Sequence, residues 1–180
     1  VDSGSGNTTT LASDNANAPR DLTVDTQFIL SSGELAHGQN DLSIDGGAEA
    51  FTATGGSVSA TTGFVDLENN SATFQLGQAT TLPNLRVTAN AGLGDDGIDL
   101  TVADELELDG TFTNTPSAGG QVVMGDGALV QRLSGTSQNG VDPLTGELGA
   151  AGTYDVTYGA GGSTDDTNNS PGLNISGEQS

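Results

Sequence analysis

Apolar and polar residues alternate with a period of two through most of this chain, in short runs. Leu22, Val24, Phe28 and Leu30 fall on one side of such a pattern, with Asp21, Thr23 and Asp25 opposite. That period belongs to an extended strand, whose successive side chains point to opposite faces. The same texture predicts strands at Leu42 and Ile44, Val58 and Ala60, Val65 and Leu67, Phe74 and Leu76, and Leu85 and Val87. It continues at Ile98, Leu100 and Val102, Leu106 and Leu108, Val122 and Met124, from 129 to 133, from 154 to 158, and at Leu173 and Ile175. Clusters such as Gly46-Gly47, Gly55-Gly56, Asn69-Asn70 and Gly119-Gly120 separate the runs and read as turns. Gly or a β-branched residue interrupts nearly every window that could carry helical periodicity, so the expected class is all-β.

Spacing turns this series of strands into a repeat. Leu22, Leu42, Phe64, Leu85 and Leu106 follow one another at intervals of 20, 22, 21 and 21 residues. Asp21-Leu22-Thr23-Val24 returns as Asp99-Leu100-Thr101-Val102, and the likeness extends from Phe28 and Leu30 to Leu106 and Leu108, and from Leu42 and Ile44 to Val122 and Met124. A coil of about 20–22 residues holds three short strands and their turns. The expected fold is a right-handed parallel β-solenoid, with an antiparallel β-sandwich or jelly-roll as the alternative. Residues 1–19, nearly devoid of apolar side chains, are expected to form a flexible polar leader. Residues 20–124 carry the regular coils, 125–152 an irregular coil or inserted loop with a turn at Asp142-Pro143, and 153–180 a further, truncated coil.

Composition narrows the picture. Aromatic residues make up 4% of the chain and Gly numbers 28, so the core must be a thin one of Leu, Val, Ile and a few Phe. Twenty-four acidic residues stand against three basic ones, Arg20, Arg86 and Arg132, for a net charge of −21. Nucleic acid is excluded as a partner, because neutralising phosphates takes clustered Lys and Arg. A surface so charged repels its own kind unless salt screens it, which points to a saline setting. There is no Cys for a disulfide framework or thiol chemistry. No run of about 20 apolar residues is present, so no helical membrane insertion is expected.

Little in the sequence suggests catalysis. The single His, His37, sits between Ala36 and Gly38 and reads as an exposed turn residue, and no Gly-x-Ser-x-Gly elbow accompanies it. Asp95-Asp96, Asp104-Glu105 and Asp165-Asp166 are adjacent, and neighbours on a strand point to opposite faces, so none makes an acid–base pair alone. Glu105, Glu107 and Asp109 share a face opposite Leu106 and Leu108 and read as a solvated acidic stripe. The one cofactor expectation is calcium. In Gly92-Leu93-Gly94-Asp95-Asp96-Gly97-Ile98-Asp99-Leu100, the carboxylates of Asp95, Asp96 and Asp99 supply the hard oxygen donors of a single calcium-binding turn.

Three segments carry a resemblance to a known group. Residues 74–91, with Thr81-Leu82-Pro83-Asn84-Leu85-Arg86-Val87-Thr88 at their centre, residues 100–110, and Gly152-Thr153-Tyr154-Asp155-Val156-Thr157-Tyr158 resemble the coils of large secreted β-solenoid surface proteins of gliding-type bacteria. The resemblance implies an extracellular, cell-surface role in adhesion, scaffolding or display, and brings no catalytic residues. The expected function is therefore a non-catalytic structural module of an adhesive or fibre-forming protein. Its partners would be its own kind, stacked end to end, or neighbouring coils of a larger chain, and surface glycans. The alternative is a carbohydrate-binding or polysaccharide-cleaving β-helix, which would predict an aromatic-lined groove, with Phe51, Phe64, Tyr154 and Tyr158 as the few candidates.

Overall fold

The computed structural model describes residues 4, 6–11, 21–94, 97–108, 112–113, 122–125, 128–132, 144–145, 148–150 and 155–158. Among them are eighteen strands, numbered here in chain order, and no helix. They line three faces of one coil. Face A stacks β2 (Leu22–Val24), β5 (Leu42–Ile44), β8 (Val65–Leu67), the second halves of β10 (Thr80–Val87) and β12 (Leu100–Leu108), then β15 (Leu129–Arg132) and β18 (Asp155–Tyr158). Face B stacks β3 (Phe28–Leu30), β6 (Phe51–Ala53), β9 (Ala72–Leu76), β11 (Ala91–Leu93), β13 (Phe112–Thr113) and β16 (Leu144–Thr145). Face C stacks β1 (Thr8–Thr10), β4 (Glu34–Gly38), β7 (Ser57–Ala60), the first halves of β10 and β12, β14 (Val122–Met124) and β17 (Leu148–Ala150).

Every described strand pair is parallel. The chain is thus a β-solenoid, and the antiparallel sandwich is excluded. One register column runs Leu22, Leu42, Val65, Leu85, Leu106, Val130 and Val156, in steps of 20, 23, 20, 21, 24 and 26 residues. The coils average about 22 residues.

The interior is filled by these columns. Leu42, Val65, Leu85 and Leu106 are fully buried on face A, as are Phe51 and Phe74 on face B and Leu82 and Val102 on face C. On face B, Phe28, Phe51 and Phe74 stack with ring centroids 5.3 and 5.1 Å apart. Both separations lie in the range where tilted aromatic rings attract. Turns let backbone pass close to backbone. At Gly46 a Cβ would lie 1.6 Å from the Thr26 carbonyl oxygen of the preceding coil, a contact only glycine avoids.

Four expectations change. The core column passes through Val65, not Phe64. Phe64 is also buried, but outside the main apolar cluster. Asp21-Leu22-Thr23-Val24 and Asp99-Leu100-Thr101-Val102 do not stack, because the first opens a face A strand and the second lies on face C. Their likeness marks a kind of strand, inward Leu and Val with outward Thr, and not one place in the coil. Within the expected leader, Thr8–Thr10 pairs with β4 and Leu11 packs against the core. Backbone pairing and the Thr8 hydroxyl's bond to Glu34 recruit Thr8–Thr10, which is why a search for apolar side chains passes over it. Within 125–152, β15, β16 and β17 continue the parallel ladders, and the turn at Asp142-Pro143 lies outside the described residues.

Candidate functional site

Charge gathers on the outer side of face A. Leu85 and Val87 point inward, so Arg86 between them points out, and its ladder neighbours are Asp66 on one side and Glu107 on the other. The guanidinium meets both and reaches further. Its Nε donates to Glu107 Oε2 at 2.5 Å and its Nη1 to Asp41 Oδ2 at 2.9 Å, while Asp66 Oδ2 lies 3.6 Å from Nη1. Beneath it, the Phe64 ring centroid is 4.1 Å from the guanidinium carbon, within cation–π range. Phe64 is thus held on the outside of the sheet, under Arg86.

Asp41 has a second task. Its Oδ1 accepts from the Phe64 amide at 2.8 Å, and its own amide donates to Asp21 Oδ1 at 2.9 Å. Carboxylates at the start of face A strands therefore hold the backbone of the next coil. Buried asparagines reach back to the preceding coil at the corner between faces C and A. Asn84 donates to the Gly63 carbonyl at 3.1 Å, and Asn40 to that of Leu11 at 2.9 Å. Asn84-Leu85-Arg86-Val87 accordingly reads as corner amide, core residue, outward charge, core residue.

Electrostatics follow from the crowding. Burial pushes the Asp66 carboxyl up to about 6; Glu68 and Asp41 push the same way, and Arg86 and the Thr88 hydroxyl pull against them. For Arg86, burial alone favours the neutral form, but the contacts with Glu107 and Asp41 outweigh it and hold the guanidinium more firmly protonated. The Arg86 side chain is 25% exposed and that of Asp66 only 7%. One cation facing three carboxylates of neighbouring coils acts as a staple across the sheet, with its carboxylates turned toward Arg86.

Of the three expected calcium ligands, the structure describes one. Asp95 and Asp96 lie outside the described residues; Asp99 immediately precedes β12, and its carbonyl accepts from the Thr80 amide at 3.3 Å. The start of the nonapeptide, Gly92 and Leu93, belongs to strand β11 and not to a turn. Among the described residues, no three acidic or His side chains converge as a metal site would require. In the acidic stripe, Glu107 is tied to Arg86, and Asp109 lies outside the described residues.

His37 is not exposed. It alternates inward with Leu35 on β4 and is 0% accessible. Its Nδ1 lies 2.6 Å from the Asn40 carbonyl oxygen, and its Nε2 has no hydrogen-bond partner. His37 is the extra residue where the β4–β7 register shifts between Ala36 and Gly38. Two of the four residues expected to line an aromatic groove are buried. Phe51 is wholly in the core and Phe64 lies beneath Arg86, while Tyr154 and the Tyr158 side chain are outside the description.

Sequence reasoning missed Arg86, Asp41 and Asp66. The signal was present, since Asp66, Arg86 and Glu107 are spaced by one coil each. Placing Phe64 in the core column hid it, because a slip of one residue exchanges the faces of a strand.

Fold and site together define the class, a parallel β-solenoid stapled across its acidic face. No protein-family model, curated protein or solved structure matches the chain.

Proposed function

We propose that the chain is a non-catalytic structural module of an extracellular, cell-surface or fibre-forming protein, working by stacking coil on coil in a saline setting. The observation that carries this reading is the face A ladder, parallel and unbroken in register from Leu22 to Val156. A parallel coil is extensible, because each rung offers the next the same unsatisfied backbone groups. The Arg86 staple and the Asp and Asn caps support it, since they spend polar side chains on coil-to-coil attachment. The resemblance to secreted bacterial surface proteins supports a cell-surface, adhesin-type location, and the charge of −21 supports the salt dependence.

Electron microscopy of the purified chain across a salt series tests the reading. Short rods should lengthen end to end as salt shortens the range of repulsion, the Debye length falling to about 3 Å at 1 M. Monodisperse particles of a single chain at every salt concentration would refute it.

A further inference from the structure

The corner where face B passes into face C bears an open trough of about 520 Å³, crossing three successive coils at residues 6–8, 31–34 and 55–57. That volume falls within the range of small-molecule sites. Glycine backbone and Ser, Thr and Asn side chains form its walls, and Glu34 is its one charged residue. The trough stays open because of the backbone that makes the corner. Gly6, Gly33 and Gly56 have φ of 82°, 75° and 83°, a region where any side chain is strained. A Cβ on Gly56 would also lie 2.6 Å from the Gly33 carbonyl oxygen. One coil further on, Gln78 donates to the Gly56 carbonyl at 3.0 Å, fixing that rim.

Glu34 is held in place from two sides. Its Oε1 accepts from Ser59 Oγ at 2.5 Å and its Oε2 from Thr8 Oγ1 at 2.8 Å. These two hydroxyls, Ser59 foremost, lower its pKa and keep it ionised. A carboxylate has about four lone-pair sites, so each oxygen can accept again.

We infer that this trough binds a short oligosaccharide, neutral or bearing amino groups. The lining offers hydroxyls, backbone and a fixed acceptor but no apolar pocket, so it suits a ligand whose own surface is hydroxyl-rich and gives a peptide side chain nothing to fill. Vicinal sugar hydroxyls can donate to the two oxygens of Glu34, and an ammonium can do so with charge assistance. Uronates and sulfated sugars are turned away by Glu34 and by the chain's charge of −21. This inference goes beyond the stacking role and does not require it, because binding is measured on the unassembled chain at low salt.

The test is calorimetric titration of the full chain with tetrasaccharides of neutral hexoses, hexosamines and uronic acids, in α and β linkages. Ser57→Trp, at an exposed trough position, fills the space. Glu34→Gln keeps the shape and removes the charge, which provides a second route should the larger substitution disturb folding. Neutral or amino tetrasaccharides should bind and uronates should not, with either folded variant weakening affinity by roughly tenfold or more. The inference is overturned if no tetrasaccharide binds at millimolar concentration, if uronates are preferred, or if binding ignores both variants while thermal melts are unchanged.

Discussion

Faces A and B are both made from short parallel strands, yet ion pairs fasten the coils of face A where aromatic rings fasten those of face B. Face B is fastened from within, through the Phe28, Phe51 and Phe74 stack. None of its six strands contains a charged residue, and its outward positions include Thr52, Thr73 and Ile29, the last 43% exposed. Face A has aliphatic columns inside and adds an outer fastening, with Arg86 reaching Asp41, Asp66 and Glu107 above the ring of Phe64. The difference teaches where an acidic chain can place its charge. Carboxylates collect where a cation or a backbone amide of the next coil can receive them, and the charge-free sheet relies on rings.

The sharpest way to break this contrast is to remove the middle ring. Phe51→Ala should cost about 3–5 kcal/mol, read as a fall in the thermal midpoint that salt does not change. On face A, Arg86→Met should cost less, about 1–3 kcal/mol near pH 7.5, because the guanidinium is partly exposed but its loss leaves three carboxylates facing one another. Unlike the Phe51 effect, this one should shrink with added salt or lowered pH.

Asp66→Asn should act in the opposite direction. The carboxyl's folded-state value, about 6, is raised above the ordinary 3.8, so the folded form binds the proton more tightly than the unfolded one. Asp66 therefore stabilises fully below about pH 4 and loses that contribution as pH rises through about 6. The asparagine variant should be more stable than the parent by about 1 kcal/mol at pH 7.5, and the gap should close by pH 4. The smallest effect belongs to the outward side of face B. Thr52→Val, which removes an exposed hydroxyl bonded to Gln27 and to the Glu49 carbonyl, should cost only about 0.5 kcal/mol.

What the sequence disclosed followed from how its signals arise. Period-two alternation located the inward residues, because burying one side of a strand forces it. Recurrence of apolar positions about every 21 residues disclosed the coil. It could not settle whether Phe64 or Val65 belonged to the column, since both are apolar and adjacent, and only the cation above Phe64 explains an outward ring. His37 looked like a turn residue because glycine follows it, whereas it lies within β4 and alternates inward with Leu35. Thr8–Thr10 escaped notice because strand pairing through backbone leaves no mark in hydrophobicity. The corner trough was visible as Gly33 and Gly55-Gly56, but only as turn signals. Its shape depends on three coils aligning their left-handed glycines.

The stacking of that ladder can be measured directly. Spin labels placed through Thr23→Cys paired with Gln131→Cys, and through Thr23→Cys paired with Thr157→Cys, sit on one register column five and six coil steps apart. With strands about 4.8 Å apart, pulsed electron paramagnetic resonance should give separations of roughly 24 and 29 Å, one rung apart. Separations that fail to grow by about one strand spacing, or that place position 157 nearer to 23 than 131 is, would contradict the parallel solenoid.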